Sequence, residues 1–180
     1  NPESGNSPTK DQLSIFTGTF NTSEGTNDAD FKADQCVIID GIAFEGDGLK
    51  VGNNNYNTVG ELIVKNCTME CGQNLEKADV VNYNQYNYFV KVSGNAGAPY
   101  AKVTVFHNNV TGTPDDLVTP IQLWDVSVAN VSDNMIVLND AEGHQAINIS
   151  KMAENATVIV EDNVIANATG GIYVTTWLLG

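Results

Sequence analysis

Two carboxylates placed across a sugar ring are the minimum for general acid/base cleavage of a glycosidic bond, at separations of about 5 Å or about 6.5–9.5 Å. Asp115-Asp116 and the triplet Gly143-His144-Gln145 are the residues of this chain that bear most directly on that chemistry. The acidic pair lies in PDDLVTP, between Pro114 and Pro120, where ordinary turn carboxylates are expected. A lysine can serve as a base near neutral pH only when it is desolvated or set beside other cations. Lys65 and Lys102 flank strand-like runs, and Lys65 is expected to stack beside Asp40, where a paired ammonium makes a poor base. Both lysines read as surface charges. His107, within VTVFHNNV, occupies an outward turn position with no Ser or Cys nucleophile in evident reach, so no triad can be named and no catalytic residue is assigned. Asp28, Asp30 and Asp34, and the acidic turn Glu45-Gly46-Asp47-Gly48, could offer oxygens to Ca²⁺. Neither follows the EF-hand loop or the glycine-aspartate nonapeptide, so Ca²⁺ is kept as a candidate ligand and no cofactor is assigned. Three cysteines, Cys36, Cys67 and Cys71, are too few and too irregular for a disulfide framework or a four-ligand zinc site, and they are expected as buried free thiols.

Any such group must be positioned by the surrounding elements, and these are all short strands. From Phe31 onward, β-branched runs alternate with Asn-, Gly- and Asp-rich turns without a sustained helical period. One eight-residue phrase, apolar, any, apolar, any, any, Asn-like, any, apolar, occurs five times. The copies are VIIDGIAF at 37–44, LIVKNCTM at 62–69, VTVFHNNV at 103–110, ANVSDNMI at 129–136 and VIVEDNVI at 158–165, with starts 25, 41, 26 and 29 residues apart. Four copies are followed by a second run: GLKV, IQLW, AINI or GIYV. The second copy is followed instead by a longer connection carrying NYNQYNYFVKV at 82–92. A repeat of this length with no helical half predicts a parallel β-helix whose coils stack at about 4.8 Å. Three inward columns follow: Val37, Leu62, Val103, Ala129, Val158; Ile39, Val64, Val105, Val131, Val160; and Phe44, Met69, Val110, Ile136, Ile165. The sixth position reads Ile42, Cys67, Asn108, Asn134, Asn163, so asparagines are expected to stack over three coils, tolerating left-handed turns and bonding coil to coil through their amides.

The phrases VTVFHNNV and VIVEDNVI resemble the repeats of the right-handed parallel β-helix, or pectin-lyase-like, superfamily over about 37–174. The fold this implies is all-β, a right-handed parallel β-helix of about five coils, with 1–30 as a polar linker or N-terminal cap and 31–180 as the β-helix domain. The resemblance also raises an alternative function, a lyase or glycoside hydrolase acting on acidic polysaccharide. Pectate-lyase-like members remove a proton with arginine or lysine beside carboxylate-held Ca²⁺, and this chain has no arginine. Polygalacturonase-like members use NTD, DD and GHG motifs. Here Asp115-Asp116 matches one, Gln145 replaces the second glycine of another, and NTD is absent. The chain is more similar to the β-helical segments of adhesin-like bacterial surface proteins than to a complete enzyme.

Outward positions of the second run offer a different chemistry. Gln122, Asn148 and Tyr173 should face solvent beside Trp124, Ser150 and Thr175, and the tyrosine insertion adds Tyr83, Tyr86 and Tyr88. Rings that cover sugar CH faces, beside amides that bond hydroxyls, are the means of glycan recognition. A polysaccharide or glycan is therefore the expected partner, through Gln122, Trp124, Asn148, Tyr173, Tyr86 and Tyr88.

Composition narrows the partners further. Eight lysines against 22 acidic residues give a net charge of −14 and a pI near 4.1, which opposes phosphate backbones. No apolar run approaches the roughly 20 residues of a membrane span, so neither nucleic acid nor membrane insertion is expected. Seven Asn-x-Ser/Thr triplets, at Asn21, Asn66, Asn109, Asn130, Asn148, Asn155 and Asn167, would be glycan acceptors in a eukaryotic secreted protein. The acidic, arginine-free chain suits a secreted or cell-surface display module. The run TTWLLG at 175–180 lacks the polar cap that an isolated solenoid needs, so the natural chain is expected to continue into adjacent domains, or another copy covers its end.

Overall fold

The computed structural model describes residues 7–17, 20–21, 36–45, 49–51, 60–71, 88–93, 100–112, 119–138, 145–152 and 155–176. Its strands follow one another in successive triplets. A partial coil, β1 (Ser14–Phe16) and β2 (Phe20–Asn21), comes first. Next are β3 (Cys36–Asp40), β4 (Ile42–Phe44), β5 (Leu49–Val51), and β6 (Glu61–Lys65), β7 (Thr68–Cys71), β8 (Val90–Ser93). They are followed by β9 (Tyr100–Phe106), β10 (Asn109–Gly112), β11 (Ile121–Trp124), and β12 (Val126–Ser132), β13 (Met135–Val137), β14 (Gln145–Met152). The last triplet is β15 (Thr157–Glu161), β16 (Val164–Ala166), β17 (Gly170–Thr176).

Every third strand pairs in parallel with its predecessor. Sheet 1 contains β3, β6, β9, β12 and β15; sheet 2 contains β1, β4, β7, β10, β13 and β16; sheet 3 contains β2, β5, β8, β11, β14 and β17. The chain is thus a parallel β-helix with three sheets around one core. From β3 to β15 it makes four full turns, since five stacked strands enclose four, slightly fewer than the five coils counted from the phrases. Residues 14–16 and 20–21 extend sheets 2 and 3, so the first 30 residues contribute strands to the solenoid.

All three expected columns form in register, as Val37↔Leu62↔Val103↔Ala129↔Val158, Ile39↔Val64↔Val105↔Val131↔Val160 and Phe44↔Met69↔Val110↔Ile136↔Ile165. In sheet 3 the inward column is Val90, Ile121, Ile147, Ile172, with Val92, Leu123, Ile149, Val174 beside it. Alternation along each strand directs these side chains inward, and the members in the middle coils are buried completely. Phe16, Phe44 and Phe89 meet edge to face, with centroids 5.9 and 6.0 Å apart, and fill the core near the N-terminal end.

The corner between sheets 1 and 2 explains the asparagines. The left-handed residue is the fifth of the phrase, Gly41, Asn66, His107, Asp133 and Asp162, with φ between 51° and 68°. The sixth-position asparagines were expected to take that conformation; instead they turn inward and form a ladder. Asn108 Nδ2 donates to Asn134 Oδ1 at 2.9 Å, and Asn134 Nδ2 donates to Asn163 Oδ1 at 2.8 Å. The same oxygens accept backbone N–H groups: Cys67 to Asn108, Asn108 to Asn134 and Asn134 to Asn163, at 2.9, 3.1 and 3.0 Å. Each amide also donates back to a strand carbonyl, Val64, Val105 or Val131. Fully satisfied, such a ladder lets polar groups sit in the core without the usual penalty of burial.

Candidate functional site

Because Ile121 and Leu123 point into the core, Gln122 and Trp124 project from the outer face of sheet 3. Register places Lys91, Gln122, Asn148 and Tyr173 in one outer column, and Trp124 and Ser150 in the next. The structure therefore brings together four of the six expected glycan-contacting residues: Gln122, Trp124, Asn148 and Tyr173. Their exposure differs from expectation. Tyr173 is 46% exposed, Trp124 and Asn148 are half-buried, and Gln122 is only 5% exposed. Lys91 and Asn148 stand one strand spacing, about 4.8 Å, to either side of Gln122, leaving little room for solvent.

Tyr88 is buried at 3% exposure, with the Lys91 ammonium 4.8 Å from its ring centre, so it is not an open platform. Tyr86, with Tyr83, lies outside the described residues. Trp124 also sits beneath cations: Lys151 Nζ is 4.4 Å and Lys91 Nζ 5.8 Å from its ring centre, both within the range of cation–π attraction. Three of the buried polar atoms on this face have no hydrogen-bond partner among the described residues: Gln122 Oε1, Asn148 Oδ1 and Trp124 Nε1. Asn148 Nδ2 donates to Gln145 Oε1 at 3.3 Å, which leaves its own oxygen unmatched. An unmatched buried polar atom costs about 1–3 kcal/mol, so two acceptors and one donor concentrated on one face carry a real energetic demand for a partner.

Two lysines of this face, Lys91 and Lys151, were missed at the level of sequence. Lys91 aligns with Gln122, but the long connection between the second and third phrase copies hides that register. Lys151 follows Ser150 in a left-handed conformation, φ 57°, as Asp125 follows Trp124 at φ 51°. That shared corner is what carries the lysine over the ring.

Other chemistry-bearing residues fall elsewhere. Lys65 pairs with Asp40 at 3.3 Å and Lys102 with Glu61 at 2.7 Å, each across adjacent strands of sheet 1. His107 occupies the outer corner, with its Nδ1 2.8 Å from Asn66 Oδ1, while Asn66 Nδ2 donates to Asp40 Oδ1 at 2.7 Å. Because the Asn66 amide nitrogen is committed to Asp40, its oxygen is the acceptor, and the His107 proton resides on Nδ1. The imidazole is oriented by a polar relay rather than by a nucleophile. Asp115, Asp116, Gly143 and His144 lie outside the described residues, as do Asp28, Asp30, Asp34 and Asp47; Glu45 is described and pairs with Lys10. Among the described residues, no three His, Cys, Asp or Glu side chains gather as a metal site.

A concavity of about 200 Å³ lies where residues 7–11 cross sheet 2, with Thr9, Lys10, Glu45, Glu70, Asn109 and Thr111 among its lining residues. Asn109 Nδ2 donates to the Pro8 carbonyl at 3.1 Å, fastening the crossing segment. Cys67 is buried, and burial pushes its thiol up to about 11; Cys36 is free and exposed, contrary to its expected burial.

No known protein family matches the chain, no curated protein matches it in sequence, and no solved structure matches its fold.

Proposed function

We propose that this chain is an extracellular or cell-surface β-helix module, adhesin-like and of pectin-lyase-like descent, that recognises a glycan through the outer face of sheet 3. It acts by binding or display, without a catalytic site of its own. The observation that carries this reading is the group of unmatched atoms, Gln122 Oε1, Asn148 Oδ1 and Trp124 Nε1, beside the rings of Trp124 and Tyr173. Sugar hydroxyls both donate and accept, so one saccharide can satisfy two acceptors and an indole donor together. The Lys151 and Lys91 side chains over Trp124 are long and rotatable. A saccharide that reaches these atoms displaces the ammonium groups from the ring, giving up their cation–π attraction together with the other contacts the two lysines make, of which Lys91 over Tyr88 is one. The acidic, arginine-free surface suits display outside the cell and disfavours anionic polymers as adventitious partners.

Saturation-transfer NMR with a panel of plant and host polysaccharides, with and without Ca²⁺ and followed over hours, tests the proposal. Transfer to sugar protons without new sugar resonances, lost in Trp124→Ala, is the expected result. New resonances from cleaved or unsaturated sugars would replace binding with catalysis, and silence across the panel would leave a structural stalk.

A further inference from the structure

His107 has one ring nitrogen engaged and one that is not. Its Nδ1 carries the proton and donates to Asn66 Oδ1 at 2.8 Å, and Asn66 Nδ2 donates to Asp40 Oδ1 at 2.7 Å. Nε2 therefore keeps a lone pair, with no partner among the described residues. At 8% exposure the imidazole is more than nine-tenths buried, and the Phe106 ring packs beside it with centres 5.8 Å apart. The two nitrogens open toward opposite sides of the ring. With Nδ1 turned to Asn66 in the preceding coil, Nε2 is directed toward the following one.

The residue one coil on at this corner is Asp133. Lys65, Phe106, Ser132 and Glu161 pair in register, and the N–H of each corner residue from Asn66 to Asp133 donates to the carbonyl before the next corner. Asn66, His107, Asp133 and Asp162 thus form one outer column, each about 4.8 Å from its neighbour. Asp133 and Asp162 are exposed, and neither has an ion pair among the described residues. Like charges on neighbouring strands destabilise each other, so a cation is favoured beside them. The His107 lone pair selects its kind. Ca²⁺ and Mg²⁺ take oxygen ligands, whereas an imidazole nitrogen beside a carboxylate suits Zn²⁺ and its neighbours in the first transition row. One strand spacing lets an imidazole and a carboxylate share an ion held about 2.0–2.2 Å from each donor. The relay from Asp40 through Asn66 supplies what a ligating histidine needs behind it, an acceptor for its other N–H that fixes tautomer and ring orientation.

We propose that His107 Nε2 and the Asp133 carboxylate bind a divalent transition-metal ion of the Zn²⁺ type, with water in its remaining positions. Asp162 adds negative charge beyond Asp133, and Asn66 is a positioning residue. Two protein ligands, in place of the three or four of a resident zinc centre, make this an exchangeable site. Because its ligands come from successive coils, the ion ties the corner between β9 and β10 to the corner between β12 and β13.

Titration of the 180-residue protein with Zn²⁺, read through the histidine ring ¹⁵N resonances, tests the site. His107→Asn, which tolerates the left-handed backbone, separates the signals of His107 from those of His144. The His107 Nε2 resonance should move saturably while Nδ1 stays protonated, and Asp133→Asn should weaken Zn²⁺ about tenfold or more. Asp133 is exposed and asparagine suits its left-handed corner, so this comparison is made on a folded protein. Asn66→Gly keeps the corner conformation and removes the relay. It should mix the two His107 tautomers in the metal-free spectrum and weaken Zn²⁺ about tenfold to a hundredfold. Ca²⁺ at the same concentration should leave the His107 resonances in place. A His107 ring that ignores Zn²⁺, or an affinity unchanged in Asp133→Asn, overturns the proposal. An equal response to Ca²⁺ also overturns it, because the site would then be an acidic patch without selection by nitrogen.

Discussion

Replacing Asn134 by alanine removes the central rung of the ladder, and the structure gives the consequence group by group. The Asn134 Nδ2 group donates to Val105 O, Ser132 O and Asn163 Oδ1, at 3.0, 3.0 and 2.8 Å, and its Oδ1 accepts from the N–H and Nδ2 of Asn108. Asn163 Oδ1 keeps the Asn134 backbone N–H, and Asn108 Nδ2 keeps the Val64 carbonyl. The Asn108 N–H keeps nothing, and Asn108 is fully buried. An orphaned buried N–H costs about 1–3 kcal/mol, and each net hydrogen bond lost costs about 1 kcal/mol more, so Asn134→Ala should destabilise by about 3–6 kcal/mol. Single domains are stable by about 5–15 kcal/mol, so the loss is a large share of the whole and readily measured. Asn163→Ala is the internal comparison. Asn163 is only half-buried, so water can replace its partners, and the loss should be about 1–2 kcal/mol. Urea titration followed by circular dichroism, with the slope checked for constancy, reads both variants. A loss below about 1 kcal/mol for Asn134→Ala, or equal losses for the two, would refute the reasoning from the ladder.

Other consequences are equally direct. The buried Cys67 thiol, raised to about 11 from an ordinary 9.0, contributes stability below pH 9 that is lost as pH rises from 9 to 11. Alkylation mapped by mass spectrometry should label Cys36 rapidly in the native protein and Cys67 only after unfolding or at high pH. At the left-handed corner, Asp133→Gly should be nearly neutral, whereas Asp133→Val should cost about 1–2 kcal/mol, measured as a shift in urea midpoint. Tyr173 is exposed, so Tyr173→Ala should leave the melting temperature unchanged yet weaken glycan binding about fivefold to tenfold by calorimetry.

The columns of the core were legible because each phrase repeats apolar residues at its first, third and eighth positions, and stacking then aligns Val64 with Val105 and Val131. The ladder was legible because Asn108, Asn134 and Asn163 recur at one offset. The left-handed corner was misplaced by one residue because the corner holds two adjacent positions, both tolerant of polar residues. The decisive signal was the fifth column of Gly41, Asn66, His107, Asp133 and Asp162, residue types enriched at positive φ. Exposure on the outer face was harder to read. Alternation shows that Gln122 points outward, but whether solvent reaches it depends on neighbours such as Lys91, which belongs to a strand 31 positions earlier in the sequence (122 − 91 = 31). Five phrase copies also enclose only four turns, so counting copies overstated the number of coils.

The indole N–H of Trp124 is where the account is most directly exposed to test. Its ¹⁵N–¹H resonance, assigned by Trp124→Phe, should move on titration with the polysaccharide selected by saturation transfer, and the Gln122 and Asn148 side-chain amides should move at the same ligand concentration. Saturable shifts of all three are the predicted result. Binding that leaves the Trp124 indole and the Gln122 amide unmoved would contradict the assignment of the outer face of sheet 3 as the recognition surface.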